Sequence, residues 1–334
     1  MINLQKIQQE KPISELLQFS IINIDKPSGP TSFKVDTIIK KELGLIKSSH
    51  FGTLDPMVSG VLPVALGRAC RLMKYFIGKN KVYVGIMRMH DEVDEKKLKQ
   101  EIKNFIGEII QKPPVKSRVK RQERKRTVYS FDILEIDGKD VLFKTEVEAG
   151  TYIRKLIHDL GEKTGGAHML ELRRTKASIF DESSSSTLFE FLEAVEEYKN
   201  KPLEKVSKNE KLRKMLIPGE IISEVLPVIQ VKKQFVDKLL HGSPLMKDFV
   251  KTEKPDRINK VDNNINLRIN KEKKIGNIVR SKQLSLTKLT YNKKAFDKDN
   301  NVAIFENETF IGVFNIINKG KILAKPEFVM QPIK

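Results

Sequence analysis

Residues 50–72 read HFGTLDPMVSGVLPVALGRACRL, a loop that runs into an apolar extended segment at Val61–Leu66. Gly52 and Gly60 bracket the loop, and glycine allows the tight or left-handed turns and close backbone approach that a ligand loop needs. Pro56 biases Asp55 away from helix. An acid held on a stiff loop beside an apolar strand is placed as a nucleophile or base would be. Read alone, the residue is more often a turn-capping aspartate, the commoner role of a loop Asp.

Outward from this loop, elements of both kinds alternate. Upstream, Ser20–Ile24 is a short apolar strand ended by Lys26-Pro27-Ser28-Gly29-Pro30, a turn signal. Thr31 and Ser32 can cap a helix with the stripe Val35, Ile38, Ile39 and Leu43, stopped by Gly44. Downstream, Val82, Val84 and Ile86 alternate with Tyr83 and Gly85, a strand with the tyrosine on the opposite face. The pattern predicts a helix over 95–110, a strand over 141–147, a helix at 153–160 ended by Gly161, and a helix over 188–198. Without a regular βαβ repeat, the expected class is α+β with a mixed or antiparallel sheet and flanking helices.

The texture changes to short β-like pieces near Leu226-Pro227. The expected organisation is an N-terminal arm over 1–20, a large domain over 21–222 and a small β-rich domain over 223–334. Residues 251–300 carry 14 Lys or Arg, 6 acids and 8 Asn, the composition of a basic, mobile insertion. Strand signals return at Val302–Phe305 and Phe310–Phe314.

Across 334 residues, 62 Lys plus Arg face 43 Asp plus Glu, a formal net charge of +19. That excess favours a polyanionic partner, because cations that neutralise phosphates release condensed counterions. It does not choose among RNA, DNA and an anionic membrane, and a lysine-rich genome also contributes. The densest basic run is Lys116, Arg118, Lys120, Arg121, Arg124, Lys125 and Arg126. The apolar runs fall far short of the ~20 residues of a membrane span. The single Cys70 precludes an internal disulfide, and no Cys/His group has zinc-ligand spacing. A soluble protein of a reducing compartment, without structural metal, is expected.

Two more residues invite a chemical reading. Arg154, at the strand-to-helix junction Glu148-Ala149-Gly150-Thr151-Tyr152-Ile153-Arg154, lies beside the core edge, where its fork can pair with a carboxylate. Otherwise it is a surface arginine. Tyr83 can stack on an everted base, or be a half-buried core aromatic. His90-Asp91 makes no dyad, since adjacent strand residues point to opposite faces. Gly165-Gly166 lacks both phosphate-loop spacings.

Taken together and in order, these segments resemble the TruB/dyskerin family of pseudouridine synthases from about Ile21 to Glu182. IDKPSGPTSFKV is similar to the family's N-terminal motif and residues 50–72 to its aspartate segment. KVYVGIMRMHDEVDE is similar to its tyrosine motif, with an MHDE ending of archaeal and dyskerin type. KPPVKSRVKRQERKRTVY, AGTYIRKLIHDLG and AHMLELRRT complete the set. The resemblance implies a pseudouridine synthase catalytic domain and isomerisation of uridine in RNA. It makes Asp55 the nucleophile, Arg154 its carboxylate partner, and Tyr83 the group against the target base. His50 assists nucleotide extrusion, Leu172 forms pocket wall, and Tyr152 lies nearby. Because the reaction is not hydrolytic, no metal or other cofactor is implied; an ionised carboxylate in a water-poor cleft is. From Leu226 the chain resembles a PUA RNA-binding module. Implied partners are tRNA, rRNA, an H/ACA guide RNA and the small core proteins of that ribonucleoprotein, in the cytoplasm. A non-catalytic RNA-binding scaffold is the alternative. Four departures stand out: Phe51 where Ser or Thr is usual, Met57 for Lys, Arg118 for Ala, and Ala177-Ser178 for a Ser-Gly-like pair.

Overall fold

The computed structural model describes residues 2–112, 122–200, 210–251 and 300–331. The chain divides into two compact units, Gln8–Gly219 and Met1–Ile7 with Glu220–Lys334. The division falls just before the change of texture at Leu226-Pro227.

The larger unit is built on a mixed sheet. Its central path runs Ser186–Thr187, Ser20–Lys26, Ser59–Leu66, Ala167–Ala177, Lys81–Met89, Asp140–Val147, Arg124–Asp137 and Gly107–Gln111. The Ser59–Leu66 strand lies antiparallel to Ser20–Lys26 and parallel to Ala167–Ala177. The remaining strands continue antiparallel out to Gly107–Gln111. One face is closed by helices Ser32–Glu42, Glu95–Asn104 and Ile153–Thr164. Their stripes, Val35 and Ile39, Leu98 and Ile102, and Ile153, Leu156, Ile157 and Leu160, join one core with Met87, Val141, Phe143 and Leu172. Thr31 caps the first helix by accepting from the Lys34 N–H at 3.0 Å, as its sequence predicts. In the Lys81–Met89 strand the face turned to the core carries Tyr83, Met87 and Met89, while Val82, Val84 and Ile86 are only half-buried.

Several local expectations are corrected. The helix predicted over 95–110 ends at Asn104, and Gly107–Gln111 is an edge strand paired with Arg124–Asp137. Gly107 takes φ +105°, which a helix cannot hold, and the charged periodicity of 95–103 hid the change. Gly161 does not end its helix, which runs Ile153–Thr164 and stops at the left-handed Gly165. Gly161 is there for close approach: a Cβ on it would lie 2.3 Å from the Ala167 nitrogen. The segment read as an arm holds helices Leu4–Glu10 and Ile13–Gln18, and Ile13, Leu16 and Leu17 enter the core. The long strands Arg124–Asp137 and Ala167–Ala177 carry too many charges for alternation to have revealed them. Ser178, in the Ser-Gly-like position, adopts φ 60°, a conformation glycine takes without strain.

The smaller unit contains a five-stranded sheet ordered Val228–Gln230, Asn301–Glu306, Thr309–Lys319, Ile322–Val329, Leu245–Met246. Ile229, Leu239, Leu245, Ile304, Ile311 and Phe314 form its core. The basic stretch expected over 251–300 lies almost wholly outside the described residues. Among the described residues, no helix is long and apolar enough to cross a membrane.

Candidate active site

The loop from Gly52 to Gly60 is fastened along its whole length. The buried Ser32 hydroxyl accepts from the Leu54 N–H at 2.8 Å and donates to the Leu54 carbonyl at 3.0 Å. Just past Asp55, the Pro56 carbonyl accepts from the Gly29 N–H at 2.9 Å and from the Lys26 ammonium at 2.9 Å. Lys26 is fully buried, and its other two protons go to the carbonyls of Pro27 at 2.7 Å and Pro30 at 2.8 Å. All three donors are therefore satisfied, which is what a buried ammonium requires. Burial lowers the Lys26 pKa while Asp55 opposes the shift, so its charge lies within electrostatic reach of that carboxylate. Within the loop, the Val58 N–H donates to the Asp55 carbonyl at 3.0 Å. The motif 26–32 is thus the bracket that holds Asp55, a role its turn residues alone did not reveal.

The other bracket is Arg174, 1% exposed. Its Nε donates to the Val61 carbonyl at 2.8 Å and Nη2 to the Gly52 carbonyl at 3.0 Å, gripping both ends of the loop. Sequence reading passed over Arg174; the signal available was its place two residues after Leu172 on one strand face. Ser32→Ala tests the first bracket. It leaves the buried Leu54 amide unpaired, which costs about 1–3 kcal/mol. A lower thermal midpoint with reduced turnover is expected, and unchanged stability would refute the bracket.

Asp55 itself meets Arg154, Nη2 to Oδ2 at 2.8 Å. Arg154 is presented by the start of the Ile153–Thr164 helix, where the buried Gln111 side chain fixes Tyr152. Gln111 Oε1 accepts from the Tyr152 N–H at 3.0 Å, and Nε2 donates to the Tyr152 carbonyl at 3.3 Å. The side chains of Asp55 and Arg154 are 51% and 59% exposed. The water-poor cleft expected around the carboxylate is therefore not made by the protein alone. The physical reason is local: Thr53, Pro56 and Met57 all point outward with Asp55.

Tyr83 and Leu172, 7% and 9% exposed, lie on adjoining strands, with Tyr83 opposite Arg174 and Leu172 opposite Gly85. His50 pairs with Val64 at the edge of the Ser59–Leu66 strand, and its Nε2 is 3.3 Å from the Thr53 hydroxyl. Burial lowers the His50 pKa and Arg174 adds to this, against Asp36, which favours the neutral ring. Phe51, which stands where the family usually has Ser or Thr, faces inward at 3% exposure and stacks on Phe76 at 5.3 Å. It fills core instead of touching a ligand.

Of the basic run, Lys116, Arg118, Lys120 and Arg121 lie outside the described residues. Arg124, Lys125 and Arg126 open the Arg124–Asp137 strand; Lys125 pairs with Glu108 at 2.8 Å and Arg126 lies 3.9 Å from Glu148. His90 pairs with His168 at 3.1 Å, not with Asp91. Among the described residues, one group has metal-ligand proximity, His158, Asp159 and Glu162 on the exposed side of their helix.

Next to Arg174 is a second buried cation, Lys81, 7% exposed, which donates to the carbonyls of Ile77 and Lys79, both at 2.8 Å. Burial, and secondarily Arg174, pulls its pKa down from 10.5 to about 8. The folded chain therefore releases this proton first. Between about 8 and 10.5 the unfolded chain binds more protons, and linkage makes the contribution to stability rise with pH. The thermal midpoint of the wild type relative to Lys81→Met is expected to climb across that window; a flat or falling difference would contradict the assignment.

Residues 40–153 match the model of the TruB family pseudouridylate synthase N-terminal domain, and 154–223 that of the tRNA pseudouridylate synthase B C-terminal domain. A Methanopyrus kandleri protein named "Probable tRNA pseudouridine synthase B" is 46% identical over 238 residues, 71% of this chain and 69% of the relative. Its namesake from Pyrococcus horikoshii is 48% identical, over 71% and 70%. A solved Cbf5-Nop10-Gar1 complex contains a chain that is 36% identical, with TM-score 0.76 over 97% of this chain and 89% of that one. An H/ACA ribonucleoprotein bound to substrate RNA gives 34% and TM-score 0.75 over the same shares. Fold and matches together define an isomerase that acts on RNA. The chain belongs to the TruB family of pseudouridine synthases.

Proposed function

We propose that Asp55 carries the chemistry by which this chain converts uridine to pseudouridine, with Arg154 orienting its carboxylate. The observation that supports this most directly is the 2.8 Å pair between them, built from a loop fastened on both sides and a helix start held by Gln111. The reaction breaks N1–C1′, turns the uracil and joins C5 to C1′; the C5 proton is lost and N1 gains one. Atoms balance without water or an electron carrier. Tyr83 and Leu172 supply an apolar wall for the detached base, Tyr152 lies at the same helix start, and His50 helps to hold the nucleotide out of its stack. Eversion costs a few kcal/mol, which backbone contacts must offset. The everted nucleoside supplies the cover that Asp55 lacks in the protein alone.

The relatives' names point to tRNA, and the solved complexes to an H/ACA particle with Nop10- and Gar1-like proteins; the targets assigned here are the T-loop uridine of tRNA and guide-selected uridines of rRNA. The unit from Glu220 onward serves as a PUA-type RNA-binding domain, and the basic segment over 116–126 as a phosphate contact. The protein works in the cytoplasm. Product formation on bare tRNA, compared with an rRNA fragment plus guide RNA and core proteins, separates the two targets. Product on neither would overturn the reading and leave an RNA-binding scaffold.

A further inference from the structure

Two strongly exposed apolar side chains belong to the backbone segments that carry or hold the Asp55 loop. Phe33 is 71% exposed and Met57 75%. Phe33 follows Ser32, which grips Leu54 just before Asp55. Met57 comes two residues after Asp55, and its carbonyl accepts from the Ser28 hydroxyl at 3.2 Å. The two side chains therefore rise from backbone segments that are fastened to each other around the reactive carboxylate.

The Ser32–Glu42 helix turns Val35 and Ile39 inward, and its exposed positions carry Phe33, Lys34, Thr37, Lys40 and Lys41. Its two acids, Asp36 and Glu42, are half-buried, and Glu42 is paired with Lys199 at 2.8 Å. An aromatic followed by exposed lysines that outnumber the acids of the same helix has the composition that binds single-stranded RNA: bases stack on the ring while ammonium groups track the phosphates. A thioether also packs well against a flat π-face. A protein partner would need complementary acids at this spot, whereas the RNA of the established reaction already arrives there.

We infer that Phe33 and Met57 form a ledge that takes the nucleobases adjoining the target uridine, with Lys34, Lys40 and Lys41 guiding the neighbouring phosphates. This rests on Asp55 being the reactive group, since the ledge is placed relative to it. The ledge acts on substrate positioning: it contributes to KM and leaves kcat alone.

The test uses the full chain on whichever RNA the wild type converts, made synthetically with the nucleotides flanking the uridine either intact or abasic. On intact RNA, Phe33→Ala is expected to raise KM about tenfold, about 1.4 kcal/mol, with kcat within twofold, and Met57→Ala to do so to a smaller degree. Phe33→Trp should restore KM. On RNA abasic at the contacted position, wild type and Phe33→Ala should become equal. An unchanged KM would overturn the ledge, as would the same penalty on intact and abasic RNA. So would an effect confined to binding of a core protein. A wild type that converts no uridine would instead bring down the assignment of Asp55 beneath it.

Discussion

Asp55→Asn is expected to lower pseudouridine formation below about one ten-thousandth of wild type, the scale on which loss of a covalent catalytic group registers. Asparagine keeps the size and the planar amide but removes the charge that faces Arg154. The separation of effects is what makes the result diagnostic. An ion pair whose partners are 51% and 59% exposed contributes only about 0–1 kcal/mol to folding. For a unit of this size that moves the thermal midpoint by no more than roughly 4 °C. RNA affinity should stay within about tenfold, because phosphate contacts dominate it. Intact folding and binding with no product, measured by release of the C5 hydrogen, is the expected triad. Retained turnover would remove Asp55 from the chemistry, and collapse of the fold would make it a structural residue.

Gly60→Ala is expected to have the largest effect on stability. A Cβ there would fall 2.2 Å from the Arg174 carbonyl oxygen and 2.9 Å from the Arg174 nitrogen, and the backbone sits at φ +102°. Gly60 and Arg174 are neighbours in the parallel ladder, so relief means prising apart the strands that hold the Asp55 loop. Backbone strain alone costs on the order of 1–3 kcal/mol, and the clash adds to it, against a total stability of roughly 5–15 kcal/mol. Insoluble protein, or a thermal midpoint lower by more than about 10 °C, is expected, with turnover lost in whatever folds. Gly44→Ala is the matched control. It has φ +63° but nothing within 4 Å of the added carbon, so only the mild left-handed cost applies, about 1–2 kcal/mol. Equal behaviour of the two variants would refute the close-approach argument.

What the sequence made legible divides by physical range. The helix of Ser32–Glu42 and the strand of Ser59–Leu66 follow from a cap and apolar runs, which are local. The pairing of Asp55 with Arg154 does not: periodicity left Arg154 a surface arginine, and at 59% exposed it is one. Only the ordered set of motifs linked the two. The bracing roles of Lys26 and Arg174 are not legible in the sequence because buried cations are recognised by the carbonyls they meet: the Pro56 carbonyl that ties Lys26 to the Asp55 loop lies 30 residues along the chain, and those held by Arg174 lie 113 and 122 away. The buried place of Phe51 is hidden for the complementary reason: it lies between His50 and Gly52 in a polar-looking loop, yet packs against Phe76 and Phe180. The tyrosine face of Lys81–Met89 proved to be the inner one because helices cover that side of the sheet.

The ammonium of Lys26 has a consequence for the choice of target. With every one of its protons committed to a carbonyl, the Asp55 loop cannot swing without stranding a cation in the interior. The protein offers a fixed anvil, so any bending needed for encounter is done by the nucleic acid. Uridines in loops or at helix junctions, already loose, would react ahead of those locked in firm duplexes, and melting temperature around the site becomes a determinant of which uridines are modified.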